Sequence, residues 1–235
     1  MKKVLVTGGK GRFALELKKI KNRNKFIFLE KSELNILKKN SIARAINKYK
    51  PDILLHLAGL SRPMDIHNKK IIESINLNII GTSNVVIECI KKNIKLIYFS
   101  TSYLYPGRKG NYKETDGLLP WNNYGWSKLG GESAVQMYKN SLILRVCMTE
   151  KPFIHSHAYA NVQSNFIFQE DLAKKFIKII NKKGIYNLGG KSQTIYEFVF
   201  KTNKHIKKKF SKGEFPFNQS MSLKKLNKII KKNKS

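Results

Sequence analysis

The amino end of the chain constrains the fold most. Residues 2–7 form a short apolar run rich in β-branched side chains, and Thr7-Gly8-Gly9-Lys10-Gly11-Arg12-Phe13-Ala14 follows at once. A buried strand that breaks into glycines and then opens a helix is the context a dinucleotide-phosphate turn requires. Gly8 permits the tight turn, Gly11 lets backbone approach a pyrophosphate, and Ala14 is small where helix and strand must pack. Phe13, Leu17 and Ile20 at i, i+4 and i+7 give the helix its buried stripe. Its first amides and the positive end of its dipole then face the phosphates. Gly8, Gly11, Arg12 and Phe13 are therefore candidate cofactor-binding residues.

The rest of the chain alternates between two periodicities. Strands are expected at 26–29, 53–57, 96–99, 142–146 and 184–190. Ser41 is expected to cap a helix carrying Ile42, Ala45, Ile46 and Tyr49, which Pro51 ends. Long helices are expected at 71–90 and 124–138, and a further one at 171–181 with Leu172, Phe176, Ile179 and Ile180 on one face. This alternation implies an α/β fold, a Rossmann-type parallel sheet flanked by helices and joined by right-handed crossovers. Regularity fades after Lys151. The chain thus divides into a dinucleotide-binding domain at 1–150 and a small C-terminal substrate-binding part at 151–235, interleaved with the last sheet elements. The lysine-rich final twenty or so residues are expected to fray.

Composition narrows the class. The chain has 235 residues, 41% hydrophobic, which suits a globular domain rather than a disordered basic protein. Cys89 and Cys147 are the only cysteines, which excludes a disulfide scaffold and reads as two inert core thiols. No apolar run approaches the ~18 residues of a membrane helix, and residues 4–6 fall far short of a signal-peptide core, so a cytoplasmic protein with no membrane partner is expected. The formal net charge is +31, and six of the 46 basic residues are arginines. Readers of phosphates and bases favour the arginine fork. Lysines spread along the whole chain therefore read as a solvated surface rather than a nucleic-acid interface.

Tyr124 and Lys128 lie four apart on an expected helix and share a face. A nearby ammonium favours phenolate, and such a tyrosine can pass a proton to or from a sugar oxygen. With 10 tyrosines in so lysine-rich a chain the spacing alone is expected by chance; position and context must carry it. TGGKGRFA at 7–14, HLAG at 56–59, NIIGT at 78–82, FSTSYLY at 99–105, YGWSK at 124–128, FQEDLA at 168–173 and GIYNLGG at 184–190 occur in the order found in the extended short-chain dehydrogenase/reductases that act on nucleotide-sugars. Over roughly residues 2–190 the chain resembles that family. The resemblance implies that Thr101 hydrogen-bonds the reacting sugar oxygen, that Tyr124 is the acid/base, and that Lys128 binds the nicotinamide ribose and tunes Tyr124. It also places Asn78 near the active site and lines the cofactor with Leu57, Ala58 and Gly59.

Within the family, nucleotide-sugar dehydratases carry an acidic pair after the catalytic Ser/Thr. Here Thr101 is followed by Ser102 and Tyr103, with no carboxylate to drive elimination. The pattern looks more like the dTDP-4-dehydrorhamnose reductases, although Ser102 replaces the aspartate common there. The implied reaction is NAD(P)H-dependent reduction of a 4-keto nucleotide-diphosphate sugar, with Thr101, Ser102 and Arg62 facing substrate. A nucleotide-sugar epimerase with retained NAD, or a non-catalytic Rossmann binding protein with a basic surface, remain as alternatives, and a homodimer is compatible with any of them. For the cofactor, NADP or NAD, Glu30 could accept from a ribose 2′-hydroxyl, whereas Lys31, Ser32 and Arg12 could receive a 2′-phosphate; the balance favours NADPH slightly. Asn35-Ile36 is expected beside the adenine. His56 and Arg145 read as structural, the latter in an ion pair. Trp126 is expected to pack. His155 and His157, with no carboxylate or cysteine beside them, suit a substrate loop better than a metal.

Overall fold

The computed structural model describes residues 1–232. The amino-terminal part runs β1 (Lys3–Thr7), α1 (Arg12–Lys18), β2 (Lys25–Leu29), α2 (Lys39–Tyr49), β3 (Ile53–His56), α3 (Ile66–Lys69), α4 (Ile71–Ile75), α5 (Gly81–Lys91), β4 (Lys95–Thr101), α6 (Asn123–Gln136) and β5 (Ser141–Val146). The remainder runs β6 (Met148–Thr149), β7 (His157–Tyr159), β8 (Gln163–Ser164), β9 (Ile167–Phe168), α7 (Gln169–Ile179), β10 (Gly184–Leu188), β11 (Gln193–Thr194), α8 (Ile195–Phe200), β12 (Lys207–Lys209) and α9 (Lys224–Lys232). Six strands make one parallel sheet in the order β10-β5-β4-β3-β1-β2. From β1 the chain first builds outward to β2, then returns to place β3 on the other side. That reversal opens a crevice beyond the carboxyl ends of β1 and β3, where open α/β sheets bind ligands.

The apolar runs are continuous because both faces of the sheet are covered. Side chains alternate along each strand. Val4, Val6, Ile53, Leu55, Ile97 and Phe99 point to one face, where Phe13 and Leu17 of α1, Leu172 and Phe176 of α7 and Leu226 of α9 meet them. Leu5, Leu54, Leu96, Tyr98 and Ile143 point to the other, against Ile42 and Ile46 of α2, Val85 of α5 and Val135 of α6. A smaller core of Ala158, Val162, Ile195, Val199 and Ile206 lies in the carboxyl-terminal part. There, α8 starts with a capping box in which the Thr194 hydroxyl accepts from the Glu197 amide and the Glu197 carboxylate accepts from the Thr194 amide.

Four expectations need correction. The helix at 71–90 is interrupted: a wide π-helical turn, Asn76–Ile80, separates α4 from α5. Such turns insert one extra residue and commonly mark functional sites; here the turn carries Asn78. Ser41 is no cap, because α2 begins at Lys39, and the Ser41 hydroxyl instead accepts from the Asn35 amide at 3.0 Å. The lysine-rich tail does not fray over its described part. It forms α9, whose Leu226 is fully buried while Ile229 and Ile230 pack on the sheet core; Lys224, Lys225, Lys228 and Lys231 are exposed. Residues 233–235 lie outside the described residues. Trp126 is half-exposed on the outer face of α6 rather than packed inside.

Candidate active site

The floor of the crevice is held by one hydroxyl. Thr7 Oγ1, at the end of β1, accepts the amides of Leu57 and Ala58 at 3.2 and 3.1 Å. It also meets His56 Nδ1 at 2.9 Å, and His56 Nε2 meets Thr82 Oγ1 at 3.1 Å. A hydroxyl that already accepts two amides has its proton left for Nδ1, so Nε2 carries the ring proton and donates to Thr82. Burial, reinforced by the charge of Lys128, lowers His56 to about 3, and the ring stays neutral. His56 is thus the structural residue its place in a strand suggested. Gly8 adopts φ +69°, and a β-carbon there would sit 2.9 Å from the Ala58 backbone, so the two loops meet only because Gly8 has no side chain. Gly11 is the N-cap of α1, in open space apart from the Gly8 carbonyl 3.1 Å from an added β-carbon. These features fit a dinucleotide, which needs close backbone approach at that point. Phe13 can offer only its amide: its ring is buried against Phe99 and Phe176, with centroids 4.7 and 6.2 Å away.

The reacting pair is built from two element ends. Thr101 closes β4, and its Oγ1 accepts from the Tyr103 amide at 3.2 Å. Tyr124 lies in the first turn of α6, which starts because Asn122 Oδ1 accepts the Gly125 amide at 2.8 Å. Both residues line a cavity of about 130 Å³, with Arg12, Ser61, Arg62, Ser102 and Tyr103 among its other walls. Among the described lining residues there is no carboxylate. A larger cleft of about 1200 Å³ shares Arg12, Arg62, Tyr103 and Phe166 with it and extends past His155, His157, Lys209 and Phe215. Burial raises the Tyr124 phenol above its ordinary range, partly offset by a Thr101 hydrogen bond and by the charges of Arg62 and Arg12. The phenol keeps its proton at neutral pH and can donate it.

Lys128 lies one turn further along α6, buried, with its Nζ 4.1 Å from the centre of the Tyr98 ring. Burial pushes it down to about 7 against the opposing pull of Glu132. Asn78 is also buried. Its Oδ1 accepts the Leu60 amide at 2.8 Å, while Nδ2 donates to the Leu60 carbonyl and to Ser127 Oγ, each at 2.9 Å. Asn78 therefore clamps the loop after β3 to α6, and Gly59 packs against it. Of the other expected cofactor residues, Glu30 is ion-paired to Lys10 at 2.6 Å. Lys31 stands apart, on a separate surface depression with Leu37, Asn68 and Ile72.

Several residues of this site carry no sequence signal. Glu150, just beyond β6, binds both Arg12 and Arg62. His67 on α3 lays its ring 5.0 Å from that of Tyr124 and holds Ser74 Oγ at 2.7 Å through Nδ1. Tyr103, Trp121 and Phe215 pack into an aromatic wall, their rings tilted or edge-on to one another. Only Tyr103 could have been found, through its place in the FSTSYLY stretch. Arg145 makes the expected ion pair, fully buried, with Glu132 at 2.7 Å. Its guanidinium also donates to Tyr105 Oη and the Glu114 carbonyl. Cys89 and Cys147 are buried thiols whose ionisation burial disfavours. Among the described residues no three His, Cys, Asp or Glu side chains come together to hold a metal ion, and no helix is long and apolar enough to cross a membrane.

Known proteins share this architecture. The family model described as RmlD substrate binding domain matches residues 1–193. A dTDP-4-dehydrorhamnose reductase of Aggregatibacter actinomycetemcomitans is 30% identical over 154 residues, covering 63% of this chain and 52% of that protein. The spore coat polysaccharide biosynthesis protein SpsK of Bacillus subtilis is 31% identical over 171 residues, covering 71% of this chain and 57% of that protein. The matched part is thus little more than half the length of either relative. The crystal structure of a Bacillus anthracis dTDP-4-dehydrorhamnose reductase in complex with NADP superimposes with a TM-score of 0.85 at 21% identity, over 96% of this chain and 91% of that one. With the family model spanning most of the sequence and the motifs in its order, the chain belongs to the RmlD substrate binding domain family, among the extended short-chain dehydrogenase/reductases.

Proposed function

We propose that the protein reduces a 4-keto nucleotide-diphosphate sugar with NADPH or NADH, with Tyr124 as the proton donor. One observation carries this reading. Thr101, a protonated Tyr124 and two arginines share a cavity free of carboxylates among its described walls, at the sheet edge where the glycine turn lies. Elimination of water would call for a carboxylate base there; protonation of an alkoxide needs a hydroxyl that still holds its proton. A nicotinamide dinucleotide, when bound, supplies the hydride. The glycine turn, with Gly8 and Gly11, and the Leu57-Ala58-Gly59 segment would hold it.

The chain's own residues do the rest. Thr101 Oγ1 orients the carbonyl oxygen by hydrogen bonding, and Tyr124 Oη gives its proton to that oxygen as negative charge develops. Arg62 and Arg12 add positive potential to the same wall, where a low-dielectric cleft strengthens it. Asn78 ties the loop after β3 to Ser127 of α6, and His67 packs beside the Tyr124 ring. The wider cleft presents Arg12, Arg62, Lys209 and the two histidines to an anionic substrate, with the aromatic wall beside them. With a dTDP-4-keto-6-deoxysugar and NADPH, Tyr124→Phe is expected to lower turnover by about 10²–10⁴-fold with little change in cofactor affinity. Equal turnover in the variant would remove Tyr124 from the chemistry. Turnover of a 4-hydroxy sugar epimer without net consumption of added cofactor would replace reduction by epimerisation.

A further inference from the structure

The geometry points to the amino edge of the sheet, opposite the candidate active site, as a docking face for an anionic lipid surface. Each of the six strands enters the sheet at an exposed lysine. In sheet order these are Lys183 before β10, Lys139 before β5, Lys92 before β4, Lys50 before β3, Lys2 before β1 and Lys25 at the start of β2. The strands are parallel, so all six lysines stand on one edge. With neighbouring strands about 4.8 Å apart, the row is roughly 24 Å long. Lysine is common throughout the chain, and the acids make the difference. The connections leading into the strands, residues 19–25, 50–52, 92–95, 139–140 and 181–183, hold a single carboxylate, Asp52, which accepts from the Lys3 amide at 2.7 Å. The connections leaving the strands hold Glu30, Glu33, Asp65, Glu114 and Asp116, and three of these pair with Lys10, Lys69 and Lys109. Among the described residues none of the six edge lysines has an ion pair.

Lys95 shows how close these charges come. It is the buried first residue of β4, and its Nζ donates to the Ile180 carbonyl at 2.8 Å, while Lys2 Nζ donates to Asn181 Oδ1 at 2.9 Å. Burial, and then the charges of Lys2 and Lys183, push Lys95 down to about 8. Uncompensated cations of this kind are relieved by an approaching anionic surface. Apolar side chains stand at the same edge. Ile90, near the end of α5, is 49% exposed, and Met137, directly after α6, is 85% exposed. Tyr138 brings the two helix ends together, its hydroxyl lying 3.0 Å from the Ile94 carbonyl and 3.4 Å from that of Cys89. Lysines around exposed apolar side chains suit a bilayer boundary, where ammonium groups meet headgroups and the apolar groups enter beneath them. A nucleic acid fits less well. The same connections carry one arginine, Arg23, and the rings nearest the edge, Phe26, Tyr49 and Tyr138, pack against the sheet cores rather than standing free for bases to stack on. Docked in this way, the protein turns the crevice at the carboxyl ends of β1 and β3 away from the membrane. Such a contact needs no spanning helix and no reductase activity.

The test is co-sedimentation of the full chain with vesicles of phosphatidylcholine alone, and with vesicles in which about one third of the lipid is phosphatidylglycerol. Binding to the second and not the first is expected at low ionic strength, with loss at about 0.5 M sodium chloride. The variant Lys25→Gln, Lys92→Gln, Lys139→Gln, Lys183→Gln should lower the partition coefficient at least about tenfold. The variant Lys191→Gln, Lys204→Gln, Lys207→Gln, Lys212→Gln removes as much charge from the carboxyl-terminal part and should stay within about twofold of wild type. Arginine at the four edge positions should keep the binding, which separates lost charge from a damaged fold. Absence of binding to the anionic vesicles at low salt, or equal losses in the two glutamine variants, would overturn the assignment. Single-stranded RNA bound at a salt concentration where the vesicles are not would give the edge to nucleic acid instead.

Discussion

Tyr124, His56 and Lys128 show how one physical term, desolvation, sorts ionisable side chains into roles. The phenol is left protonated, the imidazole neutral and the ammonium weakened, all by burial first and neighbours second. For His56 this has a consequence for stability. Its folded value, about 3, lies below the ordinary 6.5, so between those limits the unfolded chain binds the extra proton and stability falls as the pH falls. His67 is shifted in the same direction. From pH 6.5 to 5, above the range of ordinary carboxylates, urea melts should therefore show declining stability, with a slope from His56 of at most about 1.4 kcal/mol per pH unit. His56→Gln, which keeps a hydrogen-bonding side chain between Thr7 and Thr82, should flatten that slope. An unchanged slope would mean that His56 is not the group being protonated on unfolding.

At the scale of elements, α9 is the least expected support of the sheet. Leu226 is fully buried among Phe176, Leu188 and their neighbours. Leu226→Ala should cost about 2–5 kcal/mol, measured as a lower urea midpoint with unchanged far-UV dichroism; a loss below about 0.5 kcal/mol would show the helix to be loosely docked. The lysines around Leu226, Ile229 and Ile230 hid this helix from a reading based on composition, because amphipathic spacing is hard to see where two residues in three are polar. The sheet strands were legible for the opposite reason: buried on both faces, they are unbroken apolar runs between turn residues. The split between α4 and α5 was not legible, since a π-turn keeps the local hydrophobic pattern and changes only the phase. Within the site, Thr101, Tyr124 and the glycine turn could be found because each belongs to a contiguous motif. Glu150 and His67 could not, because their importance arises from contacts 88 and 57 residues away along the chain, Glu150 with Arg62 and His67 with Tyr124.

Over the whole molecule the charge is strongly one-sided, with 46 basic against 15 acidic residues. Its distribution is more telling than its size. Most lysines are exposed, including all three residues of β12. Of the six arginines, Arg145 is buried in the ion pair behind α6, and Arg12 and Arg62 face the cavity. Half of the rigid, permanently charged side chains thus sit where orientation matters, whereas Arg23, Arg44 and Arg108 are exposed. Arg145 also ties α6 to the outer strands of the sheet. It bonds Glu132 of α6 and Tyr105, and Tyr105 in turn donates to Asn187 of β10 at 2.8 Å. The cleft itself is lined by Arg12 and Arg62, the two arginines bridged by Glu150.

A working dinucleotide site at the glycine turn is the first requirement of the proposed reduction. The most direct measurement is a titration of the wild-type protein and Gly11→Asp with NADPH and with NADH, followed by quenching of tyrosine and tryptophan emission. Gly11 has ordinary backbone angles, and a β-carbon there meets one neighbour, the Gly8 carbonyl at a tight 3.1 Å, so a small shift of that turn lets the variant fold while placing a carboxylate where the phosphates would lie. Saturable binding with a dissociation constant in the micromolar range, lost in Gly11→Asp, is the predicted result. Failure of both dinucleotides to bind the folded wild-type protein would contradict the oxidoreductase assignment.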